Sequence, residues 1–169
     1  IFLRTDIYDQ LQFFDKDKLR GDEEPILWSK EALSELVLAR AKASTRNHQM
    51  SPTGFWSEYF PSKVNGVPTA DFVLLQTLMR PRDIIQLCNL CVDITRREGH
   101  ISVKDKHVTQ AVDVYSSWKL NDLIGEYRIN YPFLSDLLII FSNTSYVIQR
   151  KRFKDVFAKV RPALEERYS

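Results

Sequence analysis

Apolar residues recur along most of this chain at spacings of three and four, the period of a helix that buries one face. Leu33, Leu36, Val37 and Ala41 form one such stripe, and Ser29 stands where it would cap a helix over about 30–44. Phe55-Trp56-Ser57-Glu58-Tyr59-Phe60 predicts one or two helical turns closed by Pro61. Val64 to Pro68 reads as a turn around Asn65-Gly66. Thr69 is expected to cap a helix through Phe72, Val73, Leu75 and Met79.

After Pro81, Ile84, Leu87, Cys88, Cys91 and Ile94 keep the helical spacing. Arg96 and Arg97 suit the negative end of that helix, and Gly99 suits its C-cap. Ser102, with Asp105 three residues on, predicts the next start, and Val108, Ala111, Val112 and Tyr115 its buried stripe. A separate helix from Ser117 through Leu120, Leu123, Ile124 and Tyr127 is expected to end before Pro132. Phe133 to Phe141 predicts a further helix. The last one has Phe153, Val156, Phe157 and Val160 inside and Arg150, Lys151, Arg152 and Lys154 outside. Only Ile1-Phe2-Leu3, running into polar Arg4-Thr5-Asp6, reads as a strand remnant, so the expected class is mainly α. Both chain ends look cut, as in a piece of something larger.

Composition narrows this little. The net charge of +2 does not mark a nucleic-acid protein. From Thr144 onward, however, seven basic residues face only Asp155, Glu165 and Glu166. No apolar run approaches the length of a membrane span, and no signal peptide is visible. Cys88 and Cys91 lie within an apolar helical pattern without a second ligand pair, so they read as buried thiols in a reducing cytoplasm, not as a metal site. His48, His100 and His107 match no triad, and His107 reads as a surface histidine. No phosphate-binding loop, dinucleotide fingerprint or nucleophile elbow occurs, and no catalytic constellation is complete.

The sharpest local feature is Arg80-Pro81-Arg82-Asp83. Pro81 suits a first helical turn, where a missing N–H costs nothing. Free N–H groups and the positive dipole end attract anions there, and two guanidiniums add a grip suited to phosphate. The plainer reading is that the arginines pair with carboxylates.

These residues resemble a known family. Ile1-Phe2-Leu3-Arg4-Thr5-Asp6-Ile7-Tyr8 resembles the strand after the Walker B strand in bacterial P-loop ATPases related to the STAND, KAP and AAA+ branches. Asp15-Lys16-Asp17-Lys18 and Leu27-Trp28-Ser29 resemble the segment that follows. Arg80-Pro81-Arg82-Asp83-Ile84-Ile85-Gln86-Leu87-Cys88-Asn89 resembles the helical lid motif that carries the sensor 2 arginine. Gly99-His100-Ile101-Ser102, Ala111 and Tyr115-Ser116 fit the end of that lid.

The resemblance implies a remnant of the ATPase core over 1–26, a helical lid-type bundle over 27–116, and a helical region with a basic helix over 117–169. It implies that Arg4, Thr5 or Asp6 reads the γ-phosphate and that Arg80 or Arg82 contacts the nucleotide from the lid. ATP and Mg²⁺ would bind the parent protein, with the remainder of the ATPase core as partner. The piece itself has no Walker A or Walker B residues and should not hydrolyse ATP.

Two other readings are open. Helices 82–98 and 103–115 about Gly99 could form a helix-turn-helix, with Arg150, Lys151, Arg152 and Lys154 on nucleic-acid phosphates. Alternatively the chain is a plain helical interaction domain, anchored through Trp56, Tyr59, Phe60 and Trp118 or by self-association.

Overall fold

The computed structural model describes Tyr8, Lys18 and residues 21–45, 49–141 and 148–168. The strand expected at Ile1-Phe2-Leu3 lies outside them. Helices dominate the described residues, so the mainly α expectation holds.

Helix α1 spans Lys30–Thr45, and the Ala32 N–H donates to Ser29 Oγ at 3.1 Å, the expected cap. Helix α2 spans Pro52–Tyr59; Ser51 caps it by accepting from the Gly54 N–H at 3.0 Å. A two-residue hairpin follows, β1 (Lys63–Val64) antiparallel to β2 (Val67–Pro68), with Val64 opposite Val67. Its turn residues Asn65 and Gly66 have φ of 51° and 81°, the left-handed values such a tight turn requires. Helix α3 runs Thr69–Gln76. Thr69 is its first residue, not its cap, and its hydroxyl donates to the Pro61 carbonyl.

Helix α4 spans Pro81–Arg97 and ends in the expected turn. The Gly99 N–H bonds the Arg96 carbonyl and the His100 N–H bonds that of Thr95, with Gly99 at φ 72°. Helix α5 runs unbroken over Asp105–Tyr127, so no new helix begins at Ser117; nothing between Tyr115 and Trp118 breaks the backbone ladder. It starts at Asp105 behind Lys104, without Ser102 as cap. Short α6 (Leu134–Ile139) and the basic α7 (Arg150–Tyr168) complete the fold.

The central unit is the α4–α5 pair. Helices α1 and α3 lie against α4, α2 lies against α1, and β1 lies against α5. Leu33, Val73, Ile84, Leu87, Cys91, Val108 and Ala111 lose all solvent exposure between them. Each large aliphatic side chain buried this way contributes about 1.5–3 kcal/mol. Among the described residues, every buried one lies between Leu33 and Tyr115.

Beyond Tyr115 the packing thins. The second half of α5, α6 and α7 bury no residue fully. Phe153, expected inside, is 44% exposed and stacks on Phe141, with ring centroids 5.3 Å apart. Polar contacts hold the C-terminal end of α7 to α6: Arg167 and the Tyr168 hydroxyl both bond Asp136, at 2.6 and 2.9 Å.

Candidate functional site

Two consecutive non-glycine residues before α4, Leu78 and Met79, adopt φ of 50° and 58°. Left-handed backbone disfavours side chains with a Cβ, and such strain concentrates at functional sites. The turn swings the chain sharply into Arg80, the extended N-cap residue of α4 (φ −102°, ψ 128°), with Pro81 first in the helix. No side chain caps this end. Arg80 and Arg82 are both exposed. Among the described residues neither guanidinium makes an ion pair, so the plain carboxylate-pairing reading fails for both.

Asp83, the next residue, turns inward instead. Its carboxylate is buried and meets Lys119 Nζ of α5 at 2.9 Å. Lys119 also lies over the Tyr115 ring, 5.6 Å from its centroid. Burial, then the charge and hydrogen bond of Asp83, push the Tyr115 hydroxyl well above the ordinary phenol range, so it stays protonated. Asp83, Tyr115 and Lys119 thus fix the start of α4 against the middle of α5. Sequence reasoning missed this trio. Its faint signal is Asp83 standing four residues before Leu87, on the apolar stripe.

The opposite end of the α4–α5 pair holds a second polar cluster. His107 is fully buried, not a surface residue. Its Nδ1 accepts from the Lys104 backbone N–H at 3.0 Å and lies 2.9 Å from Thr95 Oγ1. That acceptor role puts the ring proton on Nε2, which donates to Glu98 Oε2 at 3.2 Å. Thr95 donates to the Cys91 carbonyl at 2.7 Å. Lys106 holds the Glu98 carboxyl below the usual range by hydrogen bonding. His100 stacks near His107, with ring centroids 5.2 Å apart. The polar cap of α5 required a buried imidazole, which the polar neighbours of His107 concealed.

Other expected residues fall elsewhere. Arg4, Thr5 and Asp6 lie outside the described residues. Arg150, Lys151, Arg152 and Lys154 are all exposed at the start of α7. Cys88 and Cys91 are free and buried; burial pushes the Cys91 thiol up to about 12 and raises that of Cys88 too. Phe60 is buried and Trp56 and Tyr59 half-buried, which leaves Trp118 the one exposed member of that aromatic set. A cleft of about 470 Å³ between α1, α2 and α4 has an apolar floor including Val37, Phe55, Ile85 and Cys88, with Arg40 and Arg96 at its rim. Arg80 and Arg82 do not line it. No described helix is long and apolar enough to cross a membrane.

A compact α-helical domain, centred on an antiparallel-type helix pair with a polar lock at each end, is the class these features define. Residues 31–124 match the family described as the FunZ-associated C-terminal helical domain, and the chain belongs to that family. No curated protein and no solved structure matches it.

Proposed function

We propose that this domain is a nucleotide-responsive lid, with Arg80 and Arg82 binding phosphate at the start of α4. The observation that carries the reading is two exposed guanidiniums, free of carboxylates among the described residues, flanking an uncapped helix N-terminus. Such an end attracts anions through its N–H groups and dipole, and arginine matches phosphate oxygens with paired donors. Asp83, Tyr115 and Lys119 supply the rigid backing, so a phosphate captured at α4 would pull on α5 as well. The resemblance to P-loop ATPase lids supplies the rest: ATP and Mg²⁺ held by a core carrying the phosphate cradle, and lid movement on hydrolysis. Catalysis would rest with that core.

The test on this chain is an NMR titration with tripolyphosphate. Amide shifts should concentrate at residues 77–84 and disappear in the Arg80→Ala/Arg82→Ala variant. Shifts confined to α7, or unchanged in the double variant, would reject the lid reading. A nucleic-acid reading has one observation behind it, the exposed cluster Arg150, Lys151, Arg152 and Lys154. Salt-dependent DNA binding that is lost on neutralising those four would favour it.

A further inference from the structure

We propose that Glu98, His100 and His107 form a binding site for a divalent transition-metal ion such as Zn²⁺, clasping the end of α4 to the start of α5. One ligand atom from each residue lies within 4.8 Å of the other two. Glu98 Oε2 is 3.2 Å from His107 Nε2 and 4.0 Å from His100 Nε2. Ligand bonds of about 2.0–2.2 Å around a tetrahedral ion put neighbouring ligand atoms about 3.4 Å apart, so small side-chain rotations suffice. Two imidazoles and one carboxylate are a donor set suited to zinc, with a fourth position open to water.

The surroundings fit. The turn at Gly99 fixes the backbone between Glu98 and His100 through two main-chain hydrogen bonds. His100 is half-buried, with its ring beside that of His107, so both imidazoles are held on the same side of the turn. Metal at His107 Nε2 moves the ring proton to Nδ1, where Thr95 Oγ1 at 2.9 Å accepts it while its own proton stays on the Cys91 carbonyl. The Lys104 N–H then gives up its imidazole partner, which weakens the site. Lys106 on Glu98 and Lys104 Nζ, 3.4 Å from His100 Nε2 and 3.3 Å from its Nδ1, are competitors at the surface, and both must swing into solvent. Lys106 is 59% exposed and free to do so.

The experiment is titration of the tag-free chain with Zn²⁺, and with Co²⁺ as a spectroscopic probe, alongside thermal melts. One ion should bind per chain, raise the melting temperature and give a Co²⁺ visible band of low-symmetry, four-coordinate type. Outer-shell groups alone change metal affinity by about 10–100-fold, so His100→Ala and Glu98→Gln should each weaken binding at least that much. Glu98 is exposed and His100 half-buried, and circular dichroism checks that the fold is kept. Lys106→Ala should tighten binding by removing the competing ammonium, a response a purely structural Glu98–Lys106 pair would not give. Equal affinity in the wild type and the His100→Ala/Glu98→Gln variant, weaker binding in Lys106→Ala, or no binding at all would overturn the proposal.

Discussion

Replacing Asp83 with alanine should destabilise the domain, because it breaks the buried polar contact that joins the start of α4 to α5. The carboxylate is only 5% exposed and meets Lys119 at 2.9 Å. Breaking a buried ion pair by removing one partner costs about 3–5 kcal/mol, because the other charge is stranded. Lys119 is 32% exposed and keeps a second carboxylate, Asp122, at 3.5 Å, so its ammonium recovers part of that loss. Asp83 also sits in the first turn of α4, where a negative charge adds about 0.3–1 kcal/mol. The net expectation is a loss of about 2–3 kcal/mol. For a core of this size that is a fall in Tm of roughly 10–20 °C.

Urea unfolding of the wild type, Asp83→Ala, Lys119→Met and the double variant measures it directly. The double-variant cycle should return a coupling of at least about 1 kcal/mol. Asp83→Ala within about 0.5 kcal/mol of wild type, or a coupling near zero, would refute the claim that this pair fixes α4 against α5.

Three further outcomes follow from the same structure. Gly99 has φ 72° with open space where a Cβ would stand, so Gly99→Ala should cost about 1 kcal/mol in denaturant unfolding through backbone strain alone. Cys88 and Cys91 should both be inert to a thiol reagent in the native protein and both react in urea, because burial holds each as the neutral thiol. His100 should make stability fall as pH drops through and below its ordinary value of 6.5. Burial first, then Lys104, His107 and Lys106, lower its folded-state value, so the unfolded chain binds the extra proton more readily. Between pH 7.5 and 5.5 the melting temperature of the wild type should therefore fall relative to that of His100→Ala.

The helices were legible where one apolar face repeats at three and four: Leu33 with Val37, Ile84 with Leu87 and Cys91, Val108 with Ala111 and Tyr115. The end of α4 was legible because two arginines in its last turn and Gly99 just past its Glu98 C-cap are local signals. What was hidden is tertiary. Asp83 finds Lys119 thirty-six residues away, and His107 finds Thr95 and Glu98 across a turn. Such pairs leave no periodic trace, and a buried polar residue is chosen by its partner. The boundary at Ser117 was misread because a run of polar residues on an exposed helical face resembles a break. Of the candidate site, the arginines and the helix start could be read from spacing, whereas their inward anchor could not.

Affinity for a fluorescent ATP analogue, measured with this domain joined to the proposed ATPase core and carrying Arg80→Ala, Arg82→Ala or both, tests the proposed lid role most directly. A charge-assisted hydrogen bond contributes about 1.5–3 kcal/mol, so the double variant should bind at least roughly tenfold more weakly while melting at the wild-type temperature. Unchanged affinity in the correctly folded double variant would contradict the account.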